Sequence, residues 1–471
     1  MKCRRATAVA GLMAGAVLMA TGGCMDEIQD RQPHALDAQA CSTVGQNRQI
    51  LNVMRDWYLY VDWMSEVNPR QPSSTQQMLN ALLAAPPDEP PDEDEFTFLR
   101  DREQDEAFRQ RGEQVGLGFS AQLFTDTDGR IVQAIVREVF PDTPADAAGI
   151  ERGNEIRQVA GEPVEGLFQA EFVELLGPNE SGVEVSLEIV ADETGPETLE
   201  VTKETIQINP VGELEVFDLE DGDRRVGYLL FRSFIQPAAD GLDEAFAELR
   251  DAGVDDLILD LRYNGGGQLN IARQLAGMIG GGELEGELFV GLRHNDARAP
   301  ANDRDQLFED EPGAMDLDNL VVIGTRNTAS ASEMVFNSLK PFTASQVDGT
   351  EDRPIVLDDI QLVGSNTRGK PVGSYGFDIC DQRLFPIAFR TVNADEQGNF
   401  FGGFSPGSCA ADDELSRALG DPEEASLAQA LTFLGEGSCD EAEAPLPRAP
   451  WHGPVSPADP RPQDLEFGGI Y

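Results

Sequence analysis

Apolar positions along the chain fall into three regimes. From residue 47 to 84, Ile50, Leu51, Met54, Trp57, Tyr58 and Leu59 recur near a 3.6-residue period, which predicts helical structure. The run PPDEPPDEDE at 86–95 then breaks any regular element and reads as a solvated acidic linker. Between 115 and 202 apolar residues alternate in short bursts: VGLGFSAQL, IVQAIV, VEVSLEIV and LEVT, with a short helix expected in DTPADAAGI before Gly149. Beyond Ile206 the period switches again. Strands are expected at 226–231, 257–261, 320–323 and 355–363. They are separated by one helical face of Leu242, Ala245, Phe246 and Leu249, and a second of Ile271, Ala272, Leu275, Met278 and Ile279. A further helix begins near Ser330. Strands alternating with amphipathic helices predict βαβ units, hence a layered α/β domain beside a smaller β-rich one.

Composition narrows this picture. With 85 Asp+Glu against 35 Lys+Arg and a net charge of −50, the chain is excluded from holding nucleic acid or an anionic lipid surface by charge. Its 40% hydrophobic content is that of a globular protein of two or three domains. The first residues read as an export signal: Lys2, Arg4 and Arg5, an apolar run at 8–20, then Gly22 and Gly23 before Cys24. The segment ATGGC resembles a bacterial lipobox, with Thr21 where Leu is more usual. Lipidation at Cys24 is therefore expected, giving membrane attachment by lipid and periplasmic exposure; a plain secretory signal and an uncleaved anchor are the alternatives. Cys41, Cys380, Cys409 and Cys439 remain, an even number that suggests two disulfides with three possible pairings. No C-x-x-C or H-x-x-x-H spacing points to a metal, and no cofactor is implied.

Candidate chemistry centres on TASASE at 328–333, a strand-to-helix junction where free N–H groups and the positive helix end favour an oxyanion. Ser330 could be a nucleophile there, although Ser330 to Glu333 also has the spacing of a capping box, worth about 1 kcal/mol without any catalysis. A nucleophilic serine needs a base. Of the three histidines, His34 and His452 lie near the termini, leaving His294. Lysine serves equally if burial keeps it neutral, whereas arginine does not deprotonate. Only four lysines exist: Lys2, Lys203, Lys340 and Lys370. Lys340 is ten residues along the same helix as Ser330, about 15 Å away at 1.5 Å per residue. Lys370 follows the last expected strand and can return to the site. DLRYNGGG at 260–267 also joins strand to helix, but it lacks the spacing of a phosphate loop. Arg262 reads as a structural ion pair, and Asn264 as a residue holding the loop.

The β-rich region resembles a PDZ domain, with Gly116, Leu117, Gly118 and Phe119 matching its carboxylate-binding loop and AAGIERG following. Together with GYLLFRSF, DLRYNGGG, TASASE and RGK, it resembles the C-terminal processing peptidases over roughly residues 115–375. That resemblance implies Ser330 as nucleophile, Lys370 as general base, and the N–H groups of Ala331 and Gly266 as the oxyanion hole. It also implies Leu117, Gly118 and Phe119 as the site for a substrate's free C-terminus. Arg368 and Pro371 depart from the family's usual Phe and Gly, and Ser374 stands where some relatives have Gln. The expected organisation is a signal peptide at 1–23, a tether at 24–46, a helical segment and linker at 47–110, PDZ at 113–203, peptidase at 204–443 and a Pro/Gly-rich tail at 444–471. The function expected is that of an exported serine endopeptidase acting on proteins with free C-termini. The alternatives are a non-catalytic PDZ binding protein with a pseudo-peptidase domain, and an esterase using His294.

Overall fold

A computed structural model describes residues 40–84, 94–191, 195–219, 222, 224–346 and 353–439. The signal, Cys24 and the tail from 444 lie outside the described residues. The first helix, Thr43–Trp57, starts four residues before the expected boundary because the Ser42 side chain accepts from the N–H of Gly45 and caps it.

The larger domain is built on a five-stranded sheet in the order Val211–Asp218, Arg225–Phe231, Asp256–Asp260, Asn319–Gly324, Asp359–Gly364. The first pair is antiparallel and the remaining three are parallel. Alternation along each strand feeds two cores. Leu229, Phe231, Leu257, Leu259, Leu320 and Val322 pack against the helices Ala238–Ala252, Leu269–Gly280 and Ala331–Leu339. Tyr228, Leu230, Ile258, Val321 and Ile323 pack against Ala425–Glu436. Both faces being covered explains why these strands read as continuous apolar runs.

A four-stranded antiparallel sheet, ordered Arg304–Leu307, Leu288–His294, Ile387–Val392, Val372–Ser374, stands beside this layer. The N-terminal segment adds more than helices. Its strand Phe98–Asp101 pairs with Gln382–Phe385, and the disulfide Cys41–Cys380 fastens its first helix to the same region. The second disulfide, Cys409–Cys439, closes the segment bearing the last helix.

The smaller domain is an antiparallel sheet ordered Phe119–Thr125, Ile131–Val139, Glu155–Val159, Glu184–Val190, Glu197–Thr202, with its own core around Phe119, Val136, Phe172 and Leu187. Two short strands, Glu113–Gly116 and Glu204–Gln207, pair where the chain enters and leaves it. Lys203, at that boundary, is buried and donates to Gly177 O, Pro178 O and Asn179 Oδ1, each at 3.0 Å. It is a structural lysine.

Candidate active site

Three loops at the carboxyl ends of the central parallel strands converge on Ser330. The loop after Asp256–Asp260 is pinned from below by Arg262, fully buried and paired with Asp260, Asp413 and Glu424. Asn264 then locks it: its side chain donates to Phe231 O and accepts from the N–H of Gly266, while its carbonyl accepts from the N–H of Ala329 and the hydroxyl of Ser332. Gly266 has φ 105° and lies so close that a Cβ there would stand 2.8 Å from Ala331 N. No side chain fits between these two strands of backbone.

Ser330 has φ 57° and ψ −114°, far from the extended backbone of an ordinary cap, and it makes no side-chain cap hydrogen bond. A serine held in a sparsely populated conformation at a strand-to-helix turn exposes its hydroxyl, and such strain concentrates at functional sites. The capping relation runs the other way: Glu333 accepts from the N–H of Ser330 at 3.0 Å.

That carboxylate is the pivot of the site. Glu333 is 1% exposed and also accepts from Lys370 N (2.8 Å), Gly369 N (2.7 Å) and Thr367 Oγ1 (2.5 Å). Ser330 N and Lys370 N share its Oε2, so the two nitrogens cannot be further apart than those two bond lengths combined. Burial pushes the Glu333 carboxyl up, and its four hydrogen bonds pull it back down.

Lys370 and Ser330 line one cavity of about 420 Å³. The lysine ammonium lies 5.2 Å from the Phe96 ring centroid and makes no hydrogen bond among the described residues, to Ser330 or to any other group. Desolvation, followed by the charges of Arg100 and Arg368, lowers its pKa to about 8, against the opposing pull of Asp94 and Glu333. Local burial thus outweighs the acidic field of the whole molecule. Lys340 lies elsewhere, over the Phe404 ring at 5.3 Å, and does not line the cavity. His294 is absent from the lining too: its Nδ1 faces Asp303 and its Nε2 the Tyr375 hydroxyl, each at 3.1 Å. Tyr375 is the wall residue, and His294 sits behind it.

In the smaller domain the Leu117–Phe119 loop precedes an edge strand whose outer side is unpaired among the described residues. Leu117 and Gly118 carbonyls accept from Ala145 N and Phe140 N, and their own N–H groups donate to nothing among the described residues. Gly118, at φ 94°, is required because a Cβ would meet the Thr143 hydroxyl at 2.1 Å.

Comparisons with known proteins bear on the family and the fold. Residues 225–352 match peptidase family S41, 45–98 match the peptidase S41 N-terminal domain, and 107–190 match the PDZ domain. The chain belongs to peptidase family S41. Family S41 peptidases are serine-type, and this member carries a PDZ domain. It is 30% identical to the chloroplastic C-terminal processing peptidase of Tetradesmus obliquus, over 49% of this chain and 48% of that protein. It is 29% identical to the chloroplastic carboxyl-terminal-processing peptidase 2 of Arabidopsis thaliana, over 49% of this chain and 43% of that one. The chain spans about half the length of the curated relatives it matches. A crystal structure of a putative S41 protease from Bacteroides fragilis superposes with a TM-score of 0.62 at 25% identity, covering 83% of this chain and 97% of that one.

Two parts of this site depart from what the sequence leads one to expect, the first of them the end of the run at 86–95 that reads as solvated linker. Asp94 and Glu95, the end of the acidic linker, return to it: Glu95 pairs with Arg368, and Asp94 takes the N–H groups of Phe96 and Thr97. Tyr263, inside DLRYNGGG, donates to Asp413 at 2.6 Å and accepts from Arg152 of the PDZ domain at 2.6 Å. A tyrosine beside Asn264 is the local signal of that contact.

Proposed function

We propose that this chain is an exported serine endopeptidase in which Ser330 is the nucleophile and Lys370 the general base. The observation that carries the reading is Glu333, whose one carboxylate oxygen holds the backbone of both residues at the wall of one cavity. Neutral Lys370 leaves the Phe96 ring, accepts the Ser330 proton, and the Ser330 oxygen attacks the substrate carbonyl. The resulting ammonium returns its proton to the departing amine, giving the acyl-enzyme. Water, deprotonated by the same lysine, then releases the acid. A long, unbonded side chain suits this shuttle, since catalytic hydrogen bonds often tighten only when substrate is bound.

The Ala331 N–H, at the first turn of its helix, is one oxyanion donor. The second comes from the glycine loop. With the Gly266 N–H held by Asn264 at 2.9 Å, either that bond is shared with the oxyanion or a neighbouring glycine serves. The free N–H groups of Leu117 and Gly118, beside an open strand edge, suit a substrate's terminal carboxylate bound by β-augmentation. The two disulfides fit an oxidising compartment, which supports export; lipid attachment at Cys24 follows from the sequence alone. A binding-only protein has no use for a strained serine that shares a cavity with a lysine lacking a hydrogen-bond partner among the described residues.

Incubation with an unstructured polypeptide ending in apolar residues tests the proposal. Wild type cleaves it, and Ser330→Ala and Lys370→Arg do not. Equal cleavage by all three eliminates the dyad, and loss of cleavage in His294→Ala with Lys370→Arg active transfers the role to His294.

A further inference from the structure

The catalytic cavity carries a charge opposite to that of the molecule. Across the chain acids outnumber bases by 85 to 35, yet the cavity is lined by Arg109, Arg304, Arg326, Arg368 and Lys370 with Asp105 as the sole acid. Asp105 is spoken for, pairing with Arg383 at 3.0 Å. Arg368 is paired with Glu95, and Arg326 donates to Thr367 O.

Arg109 and Arg304 differ from these. The Arg109 guanidinium stands 5.8 Å from the centre of the Phe385 ring and forms no ion pair or hydrogen bond among the described residues. Burial lowers its pKa, against the milder pull of Asp105. Arg304, on the edge strand Arg304–Leu307, forms none either. Its sequence neighbours are already engaged, Asp303 with His294 and Asp305 with Arg293.

Resting on the protease reading above, we propose that Arg109 and Arg304 form a carboxylate-recognition subsite inside the catalytic cavity, selecting substrates with a carboxylate close to the scissile bond. The cavity's apolar walls, among them Phe98, Leu292, Met334 and Phe389, take an apolar side chain, and the two guanidinium groups take the acid. A carboxylate arriving there completes charge-assisted pairs with Arg109, which is withdrawn from water, and with Arg304, which is exposed. The carboxylate is either an Asp or Glu side chain or the substrate's own terminus.

Three otherwise identical peptides separate these sources: one with Glu beside the cleavage point and an amidated end, one with Gln and an amidated end, and one with Gln and a free end. The same peptides, fluorescently labelled, are titrated against the Ser330→Ala chain, so that binding is read without turnover. The expected result is at least a tenfold preference, in kcat/KM and in affinity, for the Glu-amide or the Gln-acid peptide over the Gln-amide. That ratio falls towards one in Arg109→Gln/Arg304→Gln and is partly restored by Arg109→Lys/Arg304→Lys. These substitutions leave the PDZ loop intact, so carboxylate capture there does not respond to them. Equal treatment of all three peptides by the wild type, or a preference that survives the double glutamine variant, overturns the proposal. Arginine-dependent binding by Ser330→Ala without cleavage by the wild type keeps the subsite and removes the protease reading instead.

Discussion

Lys203 and Lys370 are both withdrawn from water, and burial lowers the pKa of each. Around Lys203 three oxygens wait at 3.0 Å, one for every ammonium hydrogen. Around Lys370 there is a phenyl face and two arginines, with the charges of Asp94 and Glu333 opposing them, and its ammonium has no hydrogen-bond acceptor among the described residues. The first arrangement solvates a cation and fixes the edge of a domain. The second leaves the ammonium without a hydrogen-bond partner among the described residues, so losing its proton relieves the site. Burial alone does not make a base; burial without acceptors does.

The comparison breaks most visibly if Lys370 is replaced. Lys370→Arg keeps a cation that does not deprotonate, and turnover should fall about 10²–10⁴-fold, as expected for loss of a general base. Lys203→Met, by contrast, strands three oxygens and should cost about 1–3 kcal/mol of stability in a denaturant titration. It should leave the shape of the pH–rate curve unaltered. A change in that shape would mean the two lysines are not functionally separate.

Glu333→Gln sits between them. It keeps the volume but presents an amide where four donors converge, so one donor is left facing another. We expect a loss of about 1–3 kcal/mol in stability, together with a drop in kcat that exceeds any change in KM, because the Ser330 and Lys370 loops lose their common tie.

A smaller effect tests the sign of the lysine shift. Unfolded, Lys370 holds its proton up to about 10.5; folded, it releases it near 8. The folded state therefore carries a penalty that is fully present below pH 8 and fades as pH rises from about 8 towards 10.5, because there the unfolded chain binds more protons. Lys370→Met should raise the melting temperature by a few degrees at pH 7, and the gain should shrink by pH 10. The same measurement on Lys203→Met should show a loss at both.

Much of the central sheet is legible in the sequence, and the reason is burial. Leu257 to Leu261 is apolar on both faces because helices cover both, and the strand Asp256–Asp260 falls within one residue of the pattern. The flanking antiparallel sheet is not legible. Its strand Val372–Ser374 is only three residues long, and Gly373 is packed where a side chain would meet Phe389. TASASE and RGK mark the groups proposed to react, since their residue types limit what chemistry is possible. Their environment is another matter: Phe96 and Arg100 reach Lys370 from some 270 positions away, from just beyond an acidic run that reads as solvent-exposed linker. The backbone strain at Ser330 leaves no sequence mark at all.

The most direct measurement is the rate at which a serine-directed fluorophosphonate labels Ser330 between pH 6 and 10, in the wild type and in Lys370→Arg. Labelling in the wild type should rise with an apparent pKa of about 8, and that rise should vanish in the variant. A wild-type rate independent of pH, or a variant that retains the same titration, would contradict Lys370 as the base.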